Sequence, residues 1–141
     1  MSSCAHGGGT PSGGGITGTL AESDSASDGP QGAGWAATGA SVSITLATGG
    51  LILVQAYTTV VQDPGVQQAA ADIRLNIGGT TYPSQNFNDG SAGLNVPKGG
   101  LAIHKIVSLA AGTYTVTVEF QKDSGSTGNA YLVNTHLTVL Y

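Results

Sequence analysis

Histidine, serine and aspartate are the residues of this 141-residue chain whose types could do chemistry. The only imidazoles are those of His6, His104 and His136, whereas serines and aspartates are abundant. A Ser-His-Asp site needs a serine whose proton passes to a histidine that a carboxylate orients. No nucleophile-elbow or other local motif surrounds any serine, so we predict no catalytic residue and expect the protein not to be an enzyme.

Metal binding is the second chemistry to consider. Cys4 and His6 would supply two ligands, but a structural zinc site takes four. The stretch from Asp123 to Asn129 is rich in oxygen atoms, yet it lacks the spaced acidic residues of an EF-hand loop. The sequence therefore predicts no metal site and no cofactor, and we interpret residues 123–129 as a turn.

The elements that position these residues are β-strands. Apolar residues alternate with polar ones at Ile73, Leu75 and Ile77, and again from Tyr114 to Phe120. This two-residue period is typical of strands with one buried face. Seven or eight such strands and no long helical pattern predict an all-β protein, a β-sandwich or jelly roll, with an open immunoglobulin sandwich as the alternative.

Two segments depart from simple alternation. The segment Leu51–Val61 is apolar on both faces at its start, which is typical of a strand covered on each side. The segment 101–109 places Leu101 and Ile103 on one face but Ile106 on the other, and a bulge or a subunit contact would explain this mixture.

The first 39 residues hold nearly half of the 23 glycines, and their large apolar residues are Ile16, Leu20 and Trp35. Such a segment buries too little apolar surface to offset its ordering entropy. We therefore predict an extended arm over residues 1–39 and a β-sandwich domain over residues 40–141. The three apolar residues are the predicted anchors on a partner, with the alternative for Trp35 that it plugs the end of the sandwich.

Charged residues make up only 9% of the chain, and the net charge is −4. Nucleic-acid binding requires clustered cations, so we expect no nucleic-acid partner. The longest apolar run, Leu51 to Val54, is too short to cross a bilayer, so we expect no membrane partner. The chain opens without the apolar run of a signal peptide, which predicts a protein made in the cytoplasm.

Three segments carry a resemblance to a known family: Ala71–Tyr82, Leu109–Phe120 and Thr135–Tyr141. They resemble strands of the tumour-necrosis-factor and complement-type jelly roll, the second being entered through a glycine turn and the third being the terminal strand in the middle of the inner sheet. The resemblance implies a homotrimer. In such a trimer His136 would lie near the three-fold axis if its side chain points that way, and a surface or interface position is the alternative.

Small bacteriophage virion proteins are often similar to minimal versions of this fold. The arm has no Gly-X-Y period, which favours a virion component over a secreted ligand with a collagen-like stalk. The leading hypothesis is a trimeric decoration protein that binds the major capsid protein or another virion protein through its arm. Deletion of residues 1–39 is then expected to leave a folded trimer that no longer binds capsids.

The alternative hypothesis is the receptor-binding head of a tail fibre, which recognises a host glycan or protein. Its ligand contacts would come from two polar loops, because long loops on a rigid scaffold commonly carry binding residues. The candidate residues in these loops are Asn86, Asn88, Asp89, Asp123 and Asn129.

Overall fold

The computed structural model describes residues 18–65, 68–88 and 99–141. Within these residues the chain forms strands joined by turns and loops, and no helix. The described segments accordingly include no helix long and apolar enough to cross a membrane. The strands are β1 (Leu20–Gln31), β2 (Ala36–Leu46), β3 (Gly50–Val61), β4 (Ala70–Ile77), β5 (Thr80–Thr81), β6 (Gln85–Asn88), β7 (Gly99–Leu109), β8 (Gly112–Gln121) and β9 (Ala130–Leu140).

The strands form two antiparallel sheets. A four-stranded sheet has the order β1-β9-β3-β7, and a five-stranded sheet has the order β2-β8-β4 followed by β5 and β6, which both pair with β4. The predicted all-β sandwich is confirmed. Placing the first strand beside the last one, with successive long strands in opposite sheets, is the connectivity of a jelly roll. The immunoglobulin alternative is wrong, because that fold groups its first, second, fourth and fifth strands in one sheet.

The core lies between the sheets and is built from the inward side chains of each strand. In β4 these are Ile73, Leu75 and Ile77, as the alternation predicts. Burial of each such side chain stabilises the fold by about 1.5–3 kcal/mol relative to exposure. The other strands contribute further fully or nearly fully buried residues: Ile44, Ile52, Val54, Val60, Val116, Val118, Phe120, Leu132, Leu137 and Val139.

Strand β1 belongs to the sandwich, which corrects the predicted arm of residues 1–39. From Leu20 to Asp28 it pairs with β9 from Leu140 to Leu132. Main-chain pairing of an edge strand requires no large side chains, so a Ser/Ala/Asp-rich segment can serve there although its composition resembles a linker. The domain boundary at residue 40 is also wrong, because β2 begins at Ala36. Residues 1–17 lie outside the described residues, and the arm stays a prediction for them.

Both edges of the four-stranded sheet are protected against further strand pairing. On the β1 side, the amide of Gly39 donates to Asp28 Oδ1 at 2.7 Å and the amide of Ser41 donates to Ser23 Oγ at 3.1 Å, so β1 and β2 are joined across the edge of the sandwich. On the β7 side, the exposed Lys105 Nζ lies 5.6 Å from the Tyr82 ring centroid. A charge on an edge strand discourages a partner strand from adding there.

Candidate interaction surface

The surface of the four-stranded sheet that faces away from the core is called the outer face below. Strand β3 lies inside this sheet and defines the face, because its residues alternate between the two sides. Ile52 and Val54 are fully buried, whereas Leu51 and Tyr57 are 41% and 53% exposed. The segment that the sequence shows as apolar on both faces thus has its second face uncovered in the single chain.

Large apolar side chains cross the outer face from edge to edge. The strand register pairs Leu20 with Leu140, Leu140 with Leu53, and Leu53 with Ile106. These four residues, called the apolar row below, come from β1, β9, β3 and β7. Its ends are open to solvent, since Leu20 is 55% and Ile106 58% exposed. Leu140 and Leu53, between them, are half-buried. Single exposed apolar residues are ordinary, but neighbouring apolar residues that form one patch indicate an interaction site.

Polar side chains form the next two lines of the outer face. The register aligns Glu22 with Thr138, Thr138 with Gln55, and Gln55 with His104. One step further along the strands, Asp24 pairs with His136, His136 with Tyr57, and Tyr57 with Ala102. The outer face therefore combines an apolar row with a centre that carries two carboxylates and two imidazoles.

His136 lies at the middle of this polar region. Its Nδ1 contacts Asp24 Oδ1, and its Nε2 lies 2.9 Å from Thr138 Oγ1 and 3.8 Å from Glu22 Oε1. The Tyr57 ring lies beside the imidazole, with the ring centroids 5.5 Å apart. When the imidazole is protonated, Nδ1 donates to the Asp24 carboxylate in a charge-assisted hydrogen bond.

A cavity of about 260 Å³ opens on the outer face between β9, β3 and β7. Its lining includes Tyr57, His104 and His136, together with Gln55 and Thr138. The cavity is open to solvent, so a side chain from another molecule can enter it without rearrangement of the sheet.

The structure places the predicted anchor and axis residues on different parts of the surface. Leu20 and His136 lie on the same outer face, on neighbouring strands. Trp35 lies elsewhere, immediately before β2, where it is half-buried and the Arg74 guanidinium is 4.2 Å from its ring centroid. Arg74 Nε in turn donates to Glu119 Oε2 at 2.6 Å, so Trp35 packs on its own chain. Ile16 lies outside the described residues.

The predicted ligand-loop residues are largely brought together, at one end of the sandwich. Asn86 Nδ2 donates to Asp72 Oδ1 and to Asp123 Oδ1, both at 2.6 Å, and Asn88 Nδ2 donates to the other oxygen of Asp123. Asn129 is not part of this cluster; its backbone amide donates to Asp63 Oδ2 at 2.6 Å. These side chains therefore satisfy one another and fasten strand β6 to the loop after β8. Asp89 lies outside the described residues.

A buried glutamine continues this polar network. Gln68 Oε1 accepts from Ser126 Oγ and from the Thr127 amide, both at 3.1 Å, and Gln68 Nε2 donates to Asn88 Oδ1 at 3.2 Å. Among the described residues no group of three or more His, Cys, Asp or Glu side chains is arranged to hold a metal ion. Cys4 and His6 are not among the residues described.

Sequence reasoning missed most of the outer face. Tyr57 and Asp24 were not singled out, and Ile106 was noted only as part of a mixed pattern. A usable signal was present, however, because the two-faced apolar start of β3 and the outward Ile106 both indicate apolar side chains on the sheet face away from the core. The pairing of Leu20 with Leu140 was not accessible, since it depends on β1 being a strand.

The fold and the outer face together define a β-sandwich protein with a surface suited to protein contacts. No family model matches the chain. No curated protein matches it in sequence either. Among solved structures, dimeric latent PorU from Porphyromonas gingivalis is similar at a TM-score of 0.52 and 13% identity, over 94% of this chain and 14% of the PorU chain. A likeness at this identity concerns the fold alone.

Two further solved structures are similar at lower TM-scores. A chain of the infectious bursal disease virus Gt strain has a TM-score of 0.49 and 18% identity, over 88% of this chain and 33% of that one. The CBM36-1 domain of a multidomain xylanase from the hindgut metagenome of Trinervitermes trinervoides has a TM-score of 0.45 and 16% identity, over 86% of this chain and 96% of that domain. The present chain thus spans a small part of two of these structures and nearly all of the third.

Proposed function

We propose that the protein is a non-catalytic structural component of a virion, a homotrimer that decorates a capsid. The observation that carries the proposal is the apolar row, which leaves Leu20 and Ile106 more than half exposed in a single chain. Copies that pack through the outer face remove this surface from water at a gain of about 25 cal/mol per Å² of apolar area. The trimeric state is proposed from the resemblance of the strand patterns to the tumour-necrosis-factor and complement-type jelly roll.

The width of the outer face supports an interface between copies. Four strands spaced by about 4.8 Å make a surface roughly 19 Å across, and the apolar row spans it completely. Protein interfaces combine apolar and polar area, and on the outer face the apolar row is bordered on one side by the polar line that begins at Glu22 and ends at His104. A chain with only 9% charged residues also has little charge repulsion to overcome on assembly.

Capsid binding is assigned to the residues that precede β1. In this proposal Ile16 is an apolar anchor on the major capsid protein or another virion protein, and three copies of the segment act together in the trimer. Three linked contacts raise the effective concentration of the second and third once the first has formed. Decoration then depends on contact area and multivalency, with no chemical step.

The test compares two matched lysine variants by sedimentation velocity and then by co-sedimentation with undecorated capsids of the parent virus. Ile106→Lys places a charge at the end of the apolar row, whereas Ser43→Lys places one at an exposed position of the other sheet. We expect Ile106→Lys to be monomeric and Ser43→Lys to be a trimer that binds capsids. A wild-type protein that stays monomeric at high concentration would refute the trimer, and a trimer that ignores capsids would refute decoration.

A receptor-binding head is the second candidate, and one observation favours it. Asn86, Asn88 and Asp123 lie together at one end of the sandwich, with the two asparagines exposed and Asp123 half-buried. Amide and carboxylate groups of this kind hydrogen-bond to sugar hydroxyls and to peptide groups. In this alternative the wild-type protein adsorbs to host cells, and Asn86→Ala abolishes adsorption while the trimer is retained.

A further inference from the structure

We infer that association through the outer face is controlled by pH, and that proton uptake by His136 favours assembly. This inference rests on the proposed self-association and adds the group that regulates it. Its basis is the position of His136, which is part of the outer face and touches a carboxylate of the neighbouring strand.

The groups around His136 can be named strand by strand. On β9 itself, Thr138 Oγ1 lies 2.9 Å from its Nε2. Strand β1 supplies the two negative charges that face the imidazole, and both are open to solvent, with Asp24 and Glu22 side chains 74% and 52% exposed. The remaining ionisable groups around the imidazole or its cavity lie on β3 and β7: Tyr57 and His104.

The charge of this region decides the direction of the effect. With a neutral imidazole, Asp24 and Glu22 leave two uncompensated negative charges on each subunit. A protonated imidazole pairs with Asp24 and leaves one. Association takes these groups out of water and brings the same set from a second copy nearby, and both changes cost more when the uncompensated charge is larger. Assembly therefore favours the protonated form, and by linkage lower pH favours assembly.

Two limits bound the pH range. Histidines ordinarily change charge near pH 6.5, and carboxylates near pH 4. Association should strengthen as the pH falls from about 8 to about 5.5. Within this interval histidines are the only side chains among the described residues of the outer face that ordinarily change charge.

The experiment is sedimentation velocity of the full-length protein at pH 5.5 and pH 8.0, at one salt concentration. Wild type is compared with His136→Gln and with His104→Gln, which removes the other imidazole of the outer face, opposite Gln55. We expect the wild type to associate about tenfold more tightly at pH 5.5, a coupling of ordinary size, and His104→Gln to keep this difference between the two pH values whatever its association at pH 8.0. His136→Gln should associate equally at both pH values.

A second variant keeps the test valid if His136→Gln does not fold. Asp24→Asn keeps the imidazole but removes its partner carboxylate, and it should reduce the tenfold effect. The outcomes separate the inference from the proposed function. Equal association of the wild type at both pH values, or loss of the pH effect in His104→Gln, overturns the inference and leaves the trimer standing. No association of the wild type at either pH overturns both.

Discussion

At the residue scale, the core contains a pair of hydroxyl groups from β3 and β9. Thr58 Oγ1 and Thr135 Oγ1 lie 2.8 Å apart, and both residues are buried. Thr58 also lies 3.4 Å from the Val133 carbonyl oxygen, and Thr135 lies 3.5 Å from Asp28 Oδ2. Such a pair contributes modestly to the free energy of unfolding when both hydroxyls are present. Removal of one hydroxyl leaves the other with only weak hydrogen-bond partners.

We therefore expect Thr58→Val and Thr135→Val each to lower the free energy of unfolding by about 1–2 kcal/mol. The double variant should cost less than the sum of the two, because no hydroxyl is then left without its partner. Urea denaturation of the four proteins measures this coupling. Strict additivity would mean that the two hydroxyls do not depend on each other.

Packing around Gly99 requires a residue without a side chain at this position. A Cβ placed there would lie 1.9 Å from Cε2 of Phe87, whereas a Cβ at the neighbouring Gly100 has no heavy atom within 4 Å. The Phe87 ring packs against the core and lies beside Gly99, the first residue of β7. A side chain at position 99 must therefore displace this ring.

Gly99→Ala is expected to destabilise the protein by about 1–3 kcal/mol, the usual cost of overpacking. Gly100→Ala should leave stability unchanged or raise it slightly, because alanine restricts the unfolded chain. Thermal unfolding followed by circular dichroism compares the two. If both alanine variants melt at the wild-type temperature, the packing of Phe87 does not require a glycine at position 99.

At the element scale, β1 links the four-stranded sheet to the rest of the sandwich. It forms the edge beside β9 and is joined to β2 by the two side-chain hydrogen bonds of Ser23 and Asp28. Without β1, the free edge of β9 would be exposed over its length. An exposed strand edge invites pairing with other chains.

Two truncations test this role. A chain that begins at Gly18 retains all nine described strands and should unfold cooperatively, like the full-length protein. A chain that begins at residue 40 lacks β1 and the start of β2, and we expect it to aggregate or to lose its cooperative transition. This reverses the expectation from the sequence that deletion of residues 1–39 leaves a folded trimer. A soluble, cooperatively unfolding protein from residue 40 onward would contradict the role of β1.

The elements that could be predicted from the sequence are those whose side chains decide their position. Strands β4 and β8 alternate regularly because one face of each is buried in the core, and their orientation was predicted correctly. Strand β1 was missed because main-chain hydrogen bonds to β9 hold it, and these leave no apolar pattern. For β7 the outward Ile106 obscured the orientation, since an exposed apolar side chain breaks the alternation from which the buried face is inferred.

At the scale of the whole molecule, the two outer surfaces differ in character. The five-stranded sheet presents hydroxyl groups, with Ser41 Oγ 2.9 Å from Thr117 Oγ1 and Thr45 Oγ1 3.0 Å from Thr113 Oγ1. The four-stranded sheet presents the apolar row, and all four exposed large apolar residues among those described lie on it: Leu20, Leu51, Tyr57 and Ile106. One side is therefore suited to water and the other to contact with protein.

This asymmetry predicts a stability that depends on concentration. If copies associate in the native state but not when unfolded, mass action raises the unfolding temperature with protein concentration. For a domain of this size, a hundredfold increase should raise it by about 5–10 °C. Ile106→Lys should show a constant unfolding temperature, and Ser43→Lys should follow the wild type. A wild-type unfolding temperature that does not change with concentration would place the apolar row against a different molecule, because a face used between copies must stabilise the folded chain by assembly.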